Sequence, residues 1–403
     1  MDRRRMLAAG AATMLAGTAR AEPERDVTAR QDFDEFWETL AARYCFFPEK
    51  ATDWRRVKAL YGPKAYAAED EAGFQTVLQA AMSELYDAHT HLADPPDGTP
   101  RFPPYDLWVL RQGDEARVLD VQPGSGAALA GVRHGDAIIA IERVPIFEAA
   151  ARLAPKCLRR SDPAADRYAL QSAAAGRRGK DRLLTVEGPS GRRELLLTRP
   201  PAADQAVSHR ALAHDLGYIR IPTFADSAAV PQFDVALADL RETKGLIIDV
   251  RSNGGGDTAV AKPIMGRFIE ARKPYATMRR RQGAGLSAPW TEWVEPRGPF
   301  RYAKPVTVLA DRWSGSMGEG FPMGMRAVAG ARIVGTPMMG LGAAVYQIHL
   351  DRTGIAGQYS GEPVYTPDGK PRWLLKPDLL VQPTTLDRDE ILEAAIADLT
   401  PRV

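Results

Sequence analysis

The sequence predicts a multi-domain protein of mixed α/β (α+β) class, with a helical N-terminal cap, a β-rich middle module and an α/β core. Three observations predict it. Apolar residues recur at helical spacing within the first hundred positions, short alternating runs bounded by Gly and Pro follow to about residue 200, and from residue 208 apolar strand-like runs alternate with helical segments. At 403 residues and 45% hydrophobic, the chain can bury cores for more than one unit.

The first segment reads as an export signal rather than as part of the fold. Asp2-Arg3-Arg4-Arg5-Met6-Leu7 precedes a small, apolar run from Ala8 to Gly17, and Ala19-Arg20-Ala21 has the A-x-A form of a cleavage site. The paired arginines followed by Met-Leu resemble a twin-arginine signal, so residues 1–21 predict a bacterial protein exported to the periplasm or secreted. The apolar run is too short to cross a bilayer, and no later stretch of about 20 apolar residues offers a membrane span. These 21 residues hold four arginines and one aspartate, so the formal charge of +2 leaves −1 on the rest. That balance, with no reading motif, argues against a nucleic-acid partner. Cys45 and Cys157 could pair in an oxidising compartment, but their spacing says nothing of their distance in space.

The cap spans residues 26–95. Phe33, Phe36, Trp37, Leu40 and Tyr44 mark one amphipathic helix, and Phe74, Val77, Leu78, Ala81 and Leu85 another. A proline-rich break from Pro95-Pro96 to Pro103-Pro104 ends it. The module spans 103–200: strand Val118–Val121, a turn, a short helix stopped by Gly131, then a Gly135-Asp136 turn feeding the strand from Ala137. A helical insertion over about 147–176 and a hairpin from Arg182 to Leu197 complete it. Gln122-Pro123-Gly124-Ser125 and Ala127-Ala128-Leu129-Ala130-Gly131-Val132-Arg133-His134-Gly135-Asp136 resemble a PDZ domain. The core, 208–403, carries strands at Gly217–Ile221, Gly245–Val250 and Val306–Ala310.

Chemistry concentrates where the last of these strands ends. Asp311-Arg312-Trp313-Ser314-Gly315-Ser316-Met317-Gly318-Glu319 places serines at a helix start, where free N–H groups and the helix dipole suit an oxyanion. Alone, Ser314 or Ser316 reads as an N-cap. The run Asp249-Val250-Arg251-Ser252-Asn253-Gly254-Gly255-Gly256 adds a loop stripped of side chains, so that an amide of Gly254 or Gly255 can join that of Met317 around one oxyanion. A phosphate-cradling loop is disfavoured, since neither G-x-G-x-x-G spacing nor a P-loop lysine is present.

These segments, with Gly335-Thr336-Pro337, resemble the successive core motifs of C-terminal-processing and tricorn-type serine peptidases. The resemblance implies a peptidase core with spiral-like, crotonase-type strand packing, an acyl-enzyme on Ser316, Gly255 and Met317 as oxyanion donors, and no metal or other cofactor. It implies a peptide or unfolded protein as substrate. The C-terminal-processing branch takes its base from a lysine that would fall near Leu341, yet no lysine lies between Lys304 and Lys370. The tricorn-like branch takes a histidine from a motif similar to Asp87-Ala88-His89-Thr90, which makes His89 the expected base. The competing reading is a helix-terminal histidine. His89 and His91 as a metal pair lack a third ligand at sensible spacing. That branch also expects a glutamate just before Pro377-Asp378, where none stands; Glu362, then Asp368, are the candidate acids. Two other readings use the same residues: a binding protein for peptides or a lipophilic ligand that kept the scaffold, and an esterase-like hydrolase.

Overall fold

The computed structural model describes residues 21–202 and 204–403, and side chains from residue 27. The export-signal segment, residues 1–20, lies outside them. Among the described residues no helix is long and apolar enough to cross a membrane.

The cap comprises α1 (Ala21–Arg43), α2 (Trp54–Tyr66), α3 (Glu71–Ser83) and the two-residue strand β1 (His91–Leu92). Asp53 and Asp70 cap α2 and α3 by accepting first-turn amides. Phe33, Phe36, Leu40, Tyr44 and Leu78, spaced as the sequence predicts, bury one face of each helix in a common core. That core continues into Ala343, Ile348 and Tyr359 of the last unit, so the cap is packed onto the body. Cys45 and Cys157 share it as free thiols.

The middle module is an antiparallel sheet of β2 (Leu107–Gln112), β3 (Glu115–Val121), β4 (Ala137–Ile141), β5 (Val144–Pro145), β6 (Arg182–Gly188) and β7 (Gly191–Leu197), in the order β2-β3-β4-β6-β7 with β5 on β4. Three helices pack on it: α4 (Gly126–Leu129), α5 (Ile146–Leu153) and α6 (Pro163–Ala175). The last two fill the predicted helical insertion.

The core opens with β8 (Ser208–Leu212), β9 (Leu216–Arg220), α7 (Ala229–Asp239), β10 (Gly245–Asp249) and α8 (Thr258–Met265). It continues through β11 (Lys273–Met278), β12 (Arg281–Gln282), β13 (Gly285–Leu286), β14 (Trp290–Val294), β15 (Val306–Ala310) and α9 (Met317–Ala329). It ends with β16 (Arg332–Gly335), β17 (Ala343–His349), β18 (Ala356–Tyr365), β19 (Leu379–Leu380) and α10 (Glu390–Leu399). The order β19-β16-β15-β10-β9-β8 makes a sheet that is parallel except at β8. Every residue of β10 and β15 is buried, as expected of parallel strands covered on both faces. On one face lie α7, α8 and α9, on the other α10. A second sheet, β1-β18-β11-β14 with β17 on β18, takes its edge strand from the cap. His89, two residues before β1, is thereby carried to the core by strand pairing.

Candidate active site

The parallel strands β10 and β15 deliver two loops side by side at their C-terminal ends. Asp311, just past β15, accepts from the Ser252 amide at 2.9 Å, the Trp313 amide at 3.0 Å and the Ser314 hydroxyl at 3.1 Å. Ser314 is fully buried and also donates to the Val250 carbonyl at 2.8 Å, so this serine is a structural tie. The Gly315 amide donates to the Asn253 carbonyl at 2.9 Å. A Cβ on Gly318 would lie 2.1 Å from that same oxygen, so only glycine lets α9 approach so closely.

Ser316 occupies the N-cap position of α9 with φ 53° and ψ −115°, a strained conformation for a residue with a side chain. Its hydroxyl makes no capping bond to the helix, which removes the N-cap explanation for the serine. The Met317 amide has no hydrogen-bond partner among the described residues. Against this turn lies Gly255, φ 111°, where an added Cβ would stand 2.7 Å from Ser316 Cβ and 2.9 Å from Met317 N.

One expected donor is placed differently. The Gly255 amide donates to Asn253 Oδ1 at 2.9 Å, while Asn253, fully buried, also donates through Nδ2 to the Ile221 carbonyl at 2.9 Å. That Asx turn engages the Gly255 N–H. The amides of Gly254 and Gly256 on either side have no partner among the described residues, and Gly254, one of the two donors the sequence offered, is left free. Gly255 supplies close approach instead.

His89 sits in a turn built by Asp87. One carboxylate oxygen accepts from the His89 amide at 3.0 Å; the other accepts from Ser360 Oγ at 2.7 Å, Thr90 Oγ1 at 2.9 Å and Tyr44 OH at 3.1 Å. With these donors and the nearby Lys50 outweighing burial, Asp87 stays below the usual carboxylate range. His89 is 7% exposed, and its Nδ1 is buried with no hydrogen-bond partner among the described residues. Burial pushes the imidazole down to about 4; Arg372 and His91 push the same way, and Asp87 opposes them. No hydrogen bond joins His89 to Ser316 in this structure. A cavity of about 330 Å³ is lined by Ala88, next to His89, and by Met339 and Leu341; neither His89 nor Ser316 lines it. A Cβ on Gly315 would touch the side chains of both Met339 and Leu341, so this segment also borders the Ser316 loop.

The 340–343 segment is clamped by a buried ion pair that sequence reasoning missed. Glu319 Oε1 accepts from the Leu341 amide at 3.1 Å and from the Gly340 amide. Arg372 donates to the Ala343 carbonyl at 3.2 Å and to the Leu341 carbonyl. The two side chains, 1% and 6% exposed, approach to 3.6 Å. Burial pushes Glu319 up to about 7 against the pull of Arg372 and the two amides. The available signal was a lone glutamate among the glycines and apolar residues of α9.

The expected acid is also displaced. Glu362 pairs with Arg280 at 3.1 Å and accepts from Tyr346 OH, which ties β18 to β17 and to the turn after β11 rather than to His89. Asp368 is exposed and bonded to Thr366 and Lys370. Among the described residues no group of three His, Cys, Asp or Glu side chains is placed to share a metal.

Residues 215–381 match Peptidase family S41, and residues 26–83 match the Tricorn protease C1 domain. The carboxy-terminal processing protease CtpB of Bacillus subtilis (strain 168) is 27% identical over 174 residues, which are 41% of this chain and 35% of that protein. The chain thus spans about a third of that relative's length. The photosystem II D1 C-terminal processing protease shares the fold with a TM-score of 0.58 at 20% identity, over 93% of this chain and 99% of that one. Mature CPAF does so with a TM-score of 0.63 at 16% identity, over 94% and 96%. Similarity to peptidase family S41 thus covers residues 215–381 and similarity to the Tricorn protease C1 domain residues 26–83, while the chain shares its fold with the D1 C-terminal processing protease.

Proposed function

We propose that this chain is an exported serine peptidase in which Ser316 is the nucleophile and His89 the general base. The observation that carries the reading is a serine held at a strained helix entrance, its hydroxyl uncommitted to the helix, beside the unused Met317 amide. Ser316 Oγ attacks the peptide carbonyl carbon while its proton passes to His89. The carbonyl electron pair moves onto oxygen, which the Met317 and Gly254 N–H groups receive. Collapse of this intermediate breaks the C–N bond, and the departing amine takes the proton from His89. Water then repeats the sequence on the acyl ester. Leu341 beside Gly315 leaves no lysine to serve as base, which favours the histidine. The imidazole closes on Ser316 when substrate binds. The β-rich module is PDZ-like in its helix-and-turn sequence and presents the extended substrate.

A second reading, a peptide-binding protein on the same scaffold, is favoured by the unpartnered Nδ1 of His89 and the missing His89–Ser316 bond. Reaction of residues 22–403 with a fluorophosphonate separates the two. Labelling of the parent, lost in both Ser316→Ala and His89→Ala, is the expected result. A folded parent that takes no label overturns the peptidase reading.

A further inference from the structure

The cavity lined by Ala88, Met339 and Leu341 extends to the cap at Lys50 and to the module at Trp108 and Gln171. Its unused hydrogen-bonding capacity is of one kind. The Lys50 ammonium, over the Tyr86 ring at 4.1 Å, makes a single hydrogen bond, to the Tyr86 carbonyl at 3.1 Å, and has no ion pair among the described residues. Gln171 is 4% exposed; its Oε1 accepts from the Val109 amide at 3.3 Å, while its Nε2 is buried without a partner. The indole N–H of Trp108 is likewise buried without a partner. All three vacant groups donate. A donor shut away from water without a partner is costly, so a wall with two such donors and the Lys50 ammonium is suited to an acceptor with negative charge.

The acids in the same wall do not supply that acceptor. Asp162 is occupied by Tyr86 OH at 2.6 Å and the Ala164 amide at 2.9 Å, and Asp87 by its four donors. Glu49 lies on the exposed rim and forms no ion pair with Lys50. At the other end the cavity is lined by Met339 and Leu341, whose side chains adjoin Gly315 of the Ser316 turn.

We infer that this cavity is a substrate subsite that takes a carboxylate, with Lys50, Gln171 and Trp108 as its donors. The inference rests on the peptide-substrate reading but not on turnover. The carboxylate can be a free chain end or an acidic side chain, and Lys50 determines the preference in either case. Burial lowers the Lys50 ammonium below its ordinary range while Asp87 and Asp162 oppose the fall. A bound carboxylate would raise it again.

The test uses Ser316→Ala protein and a fluorescein-labelled hexa-alanine peptide in three forms: free acid, C-terminal amide, and amide with one internal Asp. Anisotropy titration is expected to show at least one carboxylate form binding on the order of tenfold to a hundredfold tighter than the uncharged amide. Preference for the free acid alone assigns a chain end, and equal gain from the Asp peptide assigns a side chain. Adding Lys50→Met should bring the ratio to about 1, and Gln171→Leu should narrow it in a protein whose charge is unaltered. Equal binding of all three forms, no binding of the free acid at millimolar concentration, or a ratio that survives Lys50→Met in a folded protein would each overturn the inference. Fluorophosphonate labelling of Ser316 is read separately, so loss of the peptidase reading and loss of the subsite give different results.

Discussion

Removing Arg372 tests whether the clamp on the 340–343 segment is an ion pair whose acid can retreat by taking a proton. Glu319 is 1% exposed and held up to about 7, against an ordinary 4.5. At about 1.4 kcal/mol per unit, its charge already costs the parent roughly 3 kcal/mol above neutrality. Arg372→Met withdraws the cation that limits this rise, together with the hydrogen bonds to the Leu341 and Ala343 carbonyls. Unfolded Glu319 releases its proton near 4.5, and in the variant the folded residue does so only above 7. From pH 4.5 upward the unfolded state therefore binds fewer protons, and stability falls as pH rises. We expect Arg372→Met to cost about 1–2 kcal/mol at pH 5.5, where Glu319 is protonated in both proteins and only the carbonyl bonds are lost, and up to about 1.4 kcal/mol more at pH 8, the most that one pH unit above the parent's value of about 7 can add. Glu319→Gln strands the arginine but removes the titration, so against a parent that loses about 2 kcal/mol between pH 5.5 and 7 its deficit should shrink as pH rises. Urea unfolding followed by far-UV circular dichroism, each variant compared with the parent at the same pH, cancels the titration of other groups. An Arg372→Met deficit that is flat with pH, or that grows on acidification, would refute this account of the clamp.

Four further outcomes follow from the same geometry. Gly255→Ala puts a Cβ 2.7 Å from Ser316 Cβ at φ 111°; stability should drop by about 1–3 kcal/mol and fluorophosphonate labelling by roughly a hundredfold. Because His89 must be neutral to act and is held down to about 4, the labelling rate should stay level on acidification to about pH 5 and reach half near pH 4. A midpoint near 6.5 would place the imidazole in solvent. Asp87→Asn turns an acceptor that serves Ser360, Thr90 and Tyr44 into one that cannot face all its donors, so a loss of about 3 kcal/mol or more is expected in thermal or urea unfolding. Leu341→Lys introduced into His89→Ala should restore part of the labelling, since Leu341 already contacts the position next to Ser316; no recovery would mean that the added amine cannot reach the hydroxyl.

How far the sequence revealed this molecule depends on the range of the interactions. The cap helices, the module's hairpin and the β15–α9 turn were legible because periodicity and turn residues act over a few positions. The place of Ser316 at the helix entrance was legible for that reason: strand, Gly315 and helix are contiguous. Gly255 was recognised as a residue of close approach, but its amide was misassigned, because the Asx bond from Asn253 depends on that side chain also reaching Ile221. Arg372 and its partner Glu319 lie 53 positions apart, and only packing of α9 against the 340–343 segment brings them together. Glu362, chosen by position along the chain, was claimed by Arg280 and Tyr346 across neighbouring strands.

The placing of Arg372 near His89 bears directly on the chemistry. An acid on the imidazole would stabilise the imidazolium formed when Ser316 attacks, whereas here Nδ1 is unpartnered and a buried guanidinium lies within electrostatic reach. Relative to an ordinary histidine the protonated form is disfavoured by about 2.5 units, or roughly 3 kcal/mol, and part of that difference would be carried into the transition state. A carboxylate entering the cavity at Lys50 would act against this handicap in two ways: it adds negative charge on the His89 side of the cleft, and it holds the peptide beside Met339 and Leu341. Free-acid peptides should therefore gain in kcat as well as in KM, whereas a subsite used for binding alone would lower KM and leave kcat unchanged.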